Sequence, residues 1–276
     1  MTERFLRDYR LTIGIGARAV VVLPPFRITF SVDKSDQSDL NKMTLKAYGL
    51  GPDKRLQLIR DDDQGDHFPI QLDVGYVAGI ETIFRGSIDT ASSGREGAVF
   101  VTTISALDGG NDFLRAFVSA AVTSKAAAID AIIGTMPNTA KGKIGAMSEL
   151  IRPKILVGSS VAVVGEMLDA DQRWFIDDER LNILGGNEIV SSFVPVISAE
   201  TGLKNTPESR GKELTLVTWM NPSLKVGGLF RLISVTAPHL NAIYKTSLIS
   251  YSGDTDGNDW SQTVTAAIAE NYTVPT

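Results

Sequence analysis

Gly14-Ile-Gly16-Ala-Arg-Ala19 has the glycine spacing of a relaxed dinucleotide fingerprint, in which the glycine turn opens a helix whose N-terminus receives a pyrophosphate. A β-branched run and Pro24-Pro25 follow instead of a helix, so the segment reads as strand, turn and strand. Two other stretches, Asp61-Asp-Asp63-Gln-Gly-Asp66 and Asp254-Thr-Asp256-Gly-Asn258-Asp259, bunch enough carboxylates to hold calcium through oxygen. Neither has the EF-hand register. Counting from Asp254, the sixth position is Asp259 where that loop needs glycine, and the twelfth is Thr265 where it needs glutamate. Both clusters read as solvated hairpin tips, and Asp177-Asp178-Glu179 as a charged turn.

Other catalytic routes lack their residues. The chain has no cysteine, which excludes disulfides, thiolate nucleophiles and thiolate metal sites, and its two histidines, His67 and His239, support zinc catalysis poorly. No serine sits in a Gly-x-Ser-x-Gly elbow, and His239 follows Pro238 as a turn residue would. A pair of acids of the glycosidase kind depends on their separation in space, so a carbohydrate-active, cell-wall-degrading hydrolase remains the competing enzyme reading. Its mark would be the convergence of residues 61–66, 177–179 and 254–259 on one cleft. Trp174, Trp219 and Trp260 are spread through the later part of the chain, as core or interface anchors are, and not grouped as a base-stacking platform. No catalytic, cofactor-binding or metal-binding residue is therefore assigned, no cofactor is expected, and the chain reads as a non-enzyme.

Composition narrows the class further. With 276 residues, 43% of them apolar and 21% charged, the chain is long enough for a substantial core and close to globular averages. The formal charge of −5, from 27 basic and 32 acidic residues, argues against a duplex-gripping surface, which needs clustered Lys and Arg to displace counterions. No run approaches the roughly 20 apolar residues of a membrane span, and Met1 to Tyr9 lacks an apolar signal core, so neither a span nor export by that route is expected.

The elements that would carry these residues begin with alternation. Ile28, Phe30 and Val32 share one face of a strand, and Ile70, Leu72, Val74 and Tyr76 another. Tyr9 to Gly14, Met43 to Tyr48, Leu56 to Arg60, Glu81 to Ile88 and Ala98 to Leu107 also have strand character, with turns at Pro24-Pro25, Gly51-Pro52 and Ser92-Ser93-Gly94. Near Gly109 the pattern changes: Asp112 to Val122 and Ser124 to Ile133 are Ala-rich and read as two helices, Val161 to Leu168 as a third. Arg173 to Ile176 and Leu181 to Leu184 read as a hairpin. Strands return at Leu214 to Thr218, Leu229 to Val235, Ile243 to Tyr251 and Gln262 to Ile268, the last two joined through Ser252 to Asp259. The fold class is mainly β with an α+β insert: small β-units over residues 1–108 and 194–276 flank a helical and hairpin middle over 109–193.

This order of elements carries a resemblance. Pro25 to Ser35 followed by Leu40 to Leu50 resembles the first barrel of baseplate hub proteins from contractile-tailed bacteriophages, which are similar to tail-tube subunits. Glu200 to Pro207, Met220 to Leu229, Thr236 to Lys245 and Ser250 to Thr255 resemble their second barrel, a unit that recurs in type VI secretion spike proteins. The resemblance extends through Arg173 to Glu179 and implies two tail-tube-like β-barrels and a structural virion protein of the tail baseplate synthesised in the host cytoplasm; no appended lysozyme-like or needle domain is read in the sequence, so no cell-wall-cutting or membrane-piercing role is expected.

It also implies partners. Three chains with two barrels each would form a ring of six near-equivalent units, a homotrimer joining the tail tube, or a tube-initiator protein, to a central spike. Other baseplate proteins would surround it, and viral DNA would pass through its channel without specific binding. The structural alternative is a hexameric ring that initiates or terminates the tube.

Overall fold

The computed structural model describes residues 6–14, 16, 19–58, 67–273 and 275. Strands β1 (Arg7–Ile13) and β2 (Val20–Val22) are antiparallel, and between them Gly14 and Gly16 adopt φ of 86° and 65°, where a Cβ is disfavoured. The glycines thus serve a turn between strands. β3 (Ile28–Ser35) buries Ile28, Phe30 and Val32 on one face, and β4 (Lys42–Tyr48) pairs with it. The expected strand at Leu56 is instead the end of helix α1 (Pro52–Leu58), which starts with the residues that favour helix starts: Pro52 in first position and Asp53 in the first turn. Ile59, Arg60 and the acidic cluster 61–66 lie outside the described residues.

β5 (Pro69–Tyr76), β6 (Gly79–Glu96) and β7 (Val99–Leu107) follow. The turn expected at Ser92-Ser93-Gly94 is continuous strand, and the chain reverses at Gly97, whose φ is 62°. In the middle, helix α2 (Gly110–Arg115) is short and the rest of the expected helix is strand β8 (Phe117–Val122). Val118 and Val122 face in while Phe117, Ser119 and Ala121 face out, a period of two that suits a strand. Helix α3 (Lys125–Ile133) forms as expected, with the Ser124 hydroxyl accepting from Ala127 N at 3.1 Å. β9 (Ala140–Ile144), β10 (Lys154–Ser159) and α4 (Ser160–Met167) lead to the hairpin of β11 (Arg173–Ile176) and β12 (Arg180–Leu184).

The last section holds β13 (Val196–Ile197), β14 (Glu208–Arg210), β15 (Glu213–Trp219), β16 (Leu229–Leu232), β17 (Ile243–Asp254) and β18 (Trp260–Ile268). Thirteen strands from both ends of the chain form one sheet, with neighbours in the order β14-β15-β18-β17-β3-β4-β7-β6-β5-β1-β2, while β13 pairs β16 and β16 pairs β17. Among the described residues this path has two ends, β14 and β2. The seam between the chain's two ends is β3 against β17, antiparallel, with Val32 opposite Tyr251 and Phe30 opposite Gly253. Phe30 meets the edge of Trp260 at 5.5 Å, and the Gly253 position is empty because a Cβ there would overlap the Phe30 ring.

The middle forms two smaller sheets, β8 with β10 and β11-β12-β9. Its apolar cluster includes Val118, Ile129, Leu156, Val164 and Trp174, while the larger cluster takes Leu45, Phe84, Leu216, Tyr251 and Trp260 from both ends of the chain. β11 lies between them: Trp174 and Ile176 pack into the middle cluster and Phe175 into the larger one. Side chains of this size each contribute about 1.5–3 kcal/mol when fully buried, so the β11–β12 hairpin is held from both sides.

Candidate functional site

The turn between β11 and β12 is the place where all parts of the chain meet. Asp177 N donates to Arg180 O at 3.0 Å and Arg180 N to Asp177 O at 3.2 Å, leaving Asp178 and Glu179 as the two turn residues with φ of 52° and 59°. Two successive left-handed residues are the geometry of Asn-Gly turns, and each non-glycine there costs roughly 1–2 kcal/mol. The surroundings offset that cost. The Asp108 carboxylate, at the end of β7, accepts from Asp178 N at 2.7 Å and Glu179 N at 2.8 Å. Asn41 donates from Nδ2 to Ile176 O at 2.7 Å and accepts at its own carbonyl from Asp108 N at 3.0 Å. Glu179 O accepts from Ala140 N at 2.8 Å, which ties the turn to β9.

Lys34 crosses from β3 to the same turn. Its Nζ lies 2.6 Å from Asp177 Oδ1 and 2.8 Å from Asp178 Oδ1, with the side chain 2% exposed. From the last section Lys225 Nζ stands 3.9 Å from Asp178 Oδ2 while donating to Thr82 O at 2.8 Å. Burial alone would lower the Lys34 pKa, but Asp177, Asp178 and Asp108 outweigh it and hold the ammonium above the ordinary lysine range. A lysine fixed in its charged form is no nucleophile. Burial likewise raises the pKa of the Asp108 carboxyl, against the pull of Lys34, and of the Tyr251 phenol, whose hydroxyl donates to Leu224 O at 3.2 Å. For Asp178 the attraction of Lys34 and Lys225 overcomes burial and the carboxyl is held low.

Asp108, Asp177 and Asp178 bring carboxylate oxygens within 4.8 Å of one another, an arrangement suited to a cation. The cation there is the Lys34 ammonium, so the chain fills the place itself. The expected charged turn at 177–179 is thus half-buried at a junction, and the other described acidic cluster lies elsewhere. Asp254 pairs with Arg27 at 2.8 Å and accepts from Asp256 N at 3.0 Å, at the opposite end of β3 from Lys34 and roughly 20 Å away along the strand. The two described clusters, 177–179 and 254–259, therefore do not meet in one cleft, and 61–66 lies outside the described residues. Trp174 and Trp260 are core residues, Trp219 is 41% exposed under Lys204, and His239 lies in a short 3-10 turn. His67 had no expected role, and it sits 3.5 Å from Glu179.

Known proteins share the fold. The fold is similar to a tail protein from Neisseria meningitidis MC58, with a TM-score of 0.67 and 9% identity over 97% of this chain and 99% of that one. A 43 kDa tail protein of prophage MuSo2 from Shewanella oneidensis aligns with a TM-score of 0.64 and 10% identity over 94% and 96% of the two chains. An E. coli type VI secretion component, described as structurally similar to the T4 tail proteins gp27 and gp5, aligns with a TM-score of 0.62 and 11% identity over 91% of this chain and 76% of that one. No curated protein sequence matches the chain. At these identities the structures show the fold alone. The family model described as baseplate hub gp41 matches residues 9–266. With nearly all its length matched, this protein belongs to the baseplate hub gp41 family and is a structural component of the phage tail baseplate.

Proposed function

We propose that this hub protein acts as a homotrimeric ring, with residues 1–108 and 194–276 as two tail-tube-like barrels per chain and residues 109–193 as an insert, joining the tail tube or its initiator to a central spike. The observation that carries this reading is the β3–β17 seam, where the two ends of the chain already pair edge to edge. Contacts of the same kind between chains, through different edges of each copy, close into a ring if the rotation closes. The sheet path offers such edges at β14 and β2. Three chains would then present six similar units to a six-fold tube and a three-fold surface to a spike, with other baseplate proteins around them.

DNA passes through this ring without being gripped, because an acidic wall repels phosphate where Lys and Arg would hold it through counterion release. The net charge of −5 supports that part of the reading. The protein carries no hydrolytic activity of its own: Lys34 is locked as an ion-pair partner of Asp177 and Asp178, and Asp254 pairs with Arg27 at a separate place.

Native mass spectrometry of the isolated protein and an electron cryomicroscopy reconstruction of the baseplate test the proposal. A three-chain ring with an acidic lumen is the expected result. A closed six-chain ring would favour the tube-initiating or tube-terminating alternative, a net basic lumen would reject passage by repulsion, and a monomer packed only on unlike partners would end the ring reading.

A further inference from the structure

Glu179 is the member of the turn without a settled counter-ion. Among the described residues its Oε1, which is buried, has no hydrogen-bond partner, and the basic atom closest to it is His67 Nε2 at 3.5 Å. Both side chains are about four-fifths buried, being 19% and 20% exposed. Each element packed around them contributes charge. Arg85 comes from β6, Asp108 from the end of β7, Asp112 from α2, Lys34 from β3 and Lys225 from the last section, and Asp177 and Asp178 precede Glu179 in the turn. Asp112 is held away from the pair's proton by accepting from Asn138 N, Asn138 Nδ2 and Thr139 Oγ1 at 2.9, 3.0 and 2.8 Å. Among the described residues, four aspartates thus stand around Lys34, Lys225 and Arg85, and an ionised Glu179 would add a further negative charge to that group.

We propose that Glu179 and His67 share one proton and act as a proton-operated catch on the middle section, seating the β11–β12 turn in the sheet body while the proton is held and loosening it when the proton is lost. With the proton on Glu179, its carboxyl faces the free nitrogen of a neutral His67 across the 3.5 Å gap and closes it with a hydrogen bond. When the proton leaves to solvent, a bare carboxylate remains beside Asp108 and Asp178, and the N–H groups of Asp178 and Glu179 are drawn from the Asp108 carboxylate that holds them. Electrostatics agree with the placement of the proton: burial, together with Asp112 and Asp178 and against Arg85, pushes Glu179 up to about 7, and burial pushes His67 down. A carboxyl raised in the folded state contributes stability that is complete below the ordinary glutamate value and is lost as pH rises through the folded value. The catch therefore holds in acid and yields in base.

Hydrogen exchange of the full chain tests this. Between about pH 5.5 and about pH 8.5, after correction for the intrinsic rate, the amides of Asp178, Glu179 and the β11–β12 hairpin are expected to lose about tenfold or more of their protection, while the β3–β17 ladder keeps its own. In Glu179→Gln, which keeps the shape without the titration, the hairpin should show equal protection at both. An unchanged hairpin in the wild type, or the same pH response in Glu179→Gln, overturns the proposal. Because the variant could fail to fold, the carboxyl carbon of Glu179 is also titrated by NMR in the wild type: a midpoint near 7 supports the catch, and one in the ordinary glutamate range, about 4.3, overturns it.

Discussion

Asp108 accepts a hydrogen bond from the backbone N–H of Glu179 at 2.8 Å, across 71 positions of sequence, and so completes a turn that its own residues would not favour. Its second oxygen accepts from Asp178 N at 2.7 Å. Asp108→Asn keeps the side-chain shape but points an amide donor at one of two N–H donors. The expected cost is about 1–3 kcal/mol, read from urea unfolding, with β11 and β12 losing exchange protection before β3 and β17.

Lys34→Met removes the one buried cation beside three carboxylates and should cost about 3–5 kcal/mol, because breaking a buried pair leaves charge unpaired. Adding Asp177→Asn and Asp178→Asn to Lys34→Met should recover part of the loss. If Lys34→Met unfolds at the wild-type urea midpoint, the ion pairs are not what seats the turn.

Gly253→Ala places a Cβ into the Phe30 ring at the seam between the chain's two ends, which overpacking data value at about 1–3 kcal/mol. Gly94→Ala is the control, since nothing lies within 4 Å of a Cβ added there. Thermal unfolding of the pair should separate them clearly, with Gly253→Ala the lower.

Asp169 predicts an effect of opposite sign with pH. Lys125 Nζ at 2.6 Å, Ser148 Oγ at 2.6 Å and Ser148 N at 2.8 Å all donate to its carboxylate and hold its pKa well below the usual aspartate range. A depressed carboxyl contributes stability above its unfolded value that is lost as pH falls toward the folded one. Asp169→Asn should therefore melt below the wild type at neutral pH, and the gap should narrow once the pH drops under about 4. A gap that stays constant in acid would mean the bonds to Lys125 and Ser148 do not depend on the charge.

Much of the sheet was legible because each strand needs only its own alternation, as Ile28, Phe30 and Val32 show. The errors came where a partner decides. Phe117 to Val122 is Ala-rich enough to pass for helix, and only its pairing with Lys154–Ser159 commits it to strand. The Pro52 and Asp53 start signals outweighed the strand-like run at Leu56. The junction left a trace that alternation could have exposed. Lys34 continues the buried face of Ile28, Phe30 and Val32, and Asp108 continues that of Ile104 and Ala106, so two opposite charges stand at positions where apolar residues belong. His67 left none, because its contact with Glu179 joins segments that no local pattern links.

The seam between β3 and β17 also dictates when the protein can be finished on the ribosome. Arg27 and Asp254, which pair beside it, are 227 residues apart, so β3 emerges early and waits through most of translation for its second neighbour. Until β17 arrives, the nascent chain carries an open strand edge backed by Ile28, Phe30 and Val32, the kind of surface that recruits stray strands and chaperones. The β3 edge therefore stays uncovered on that side until Ile243–Asp254 has been made.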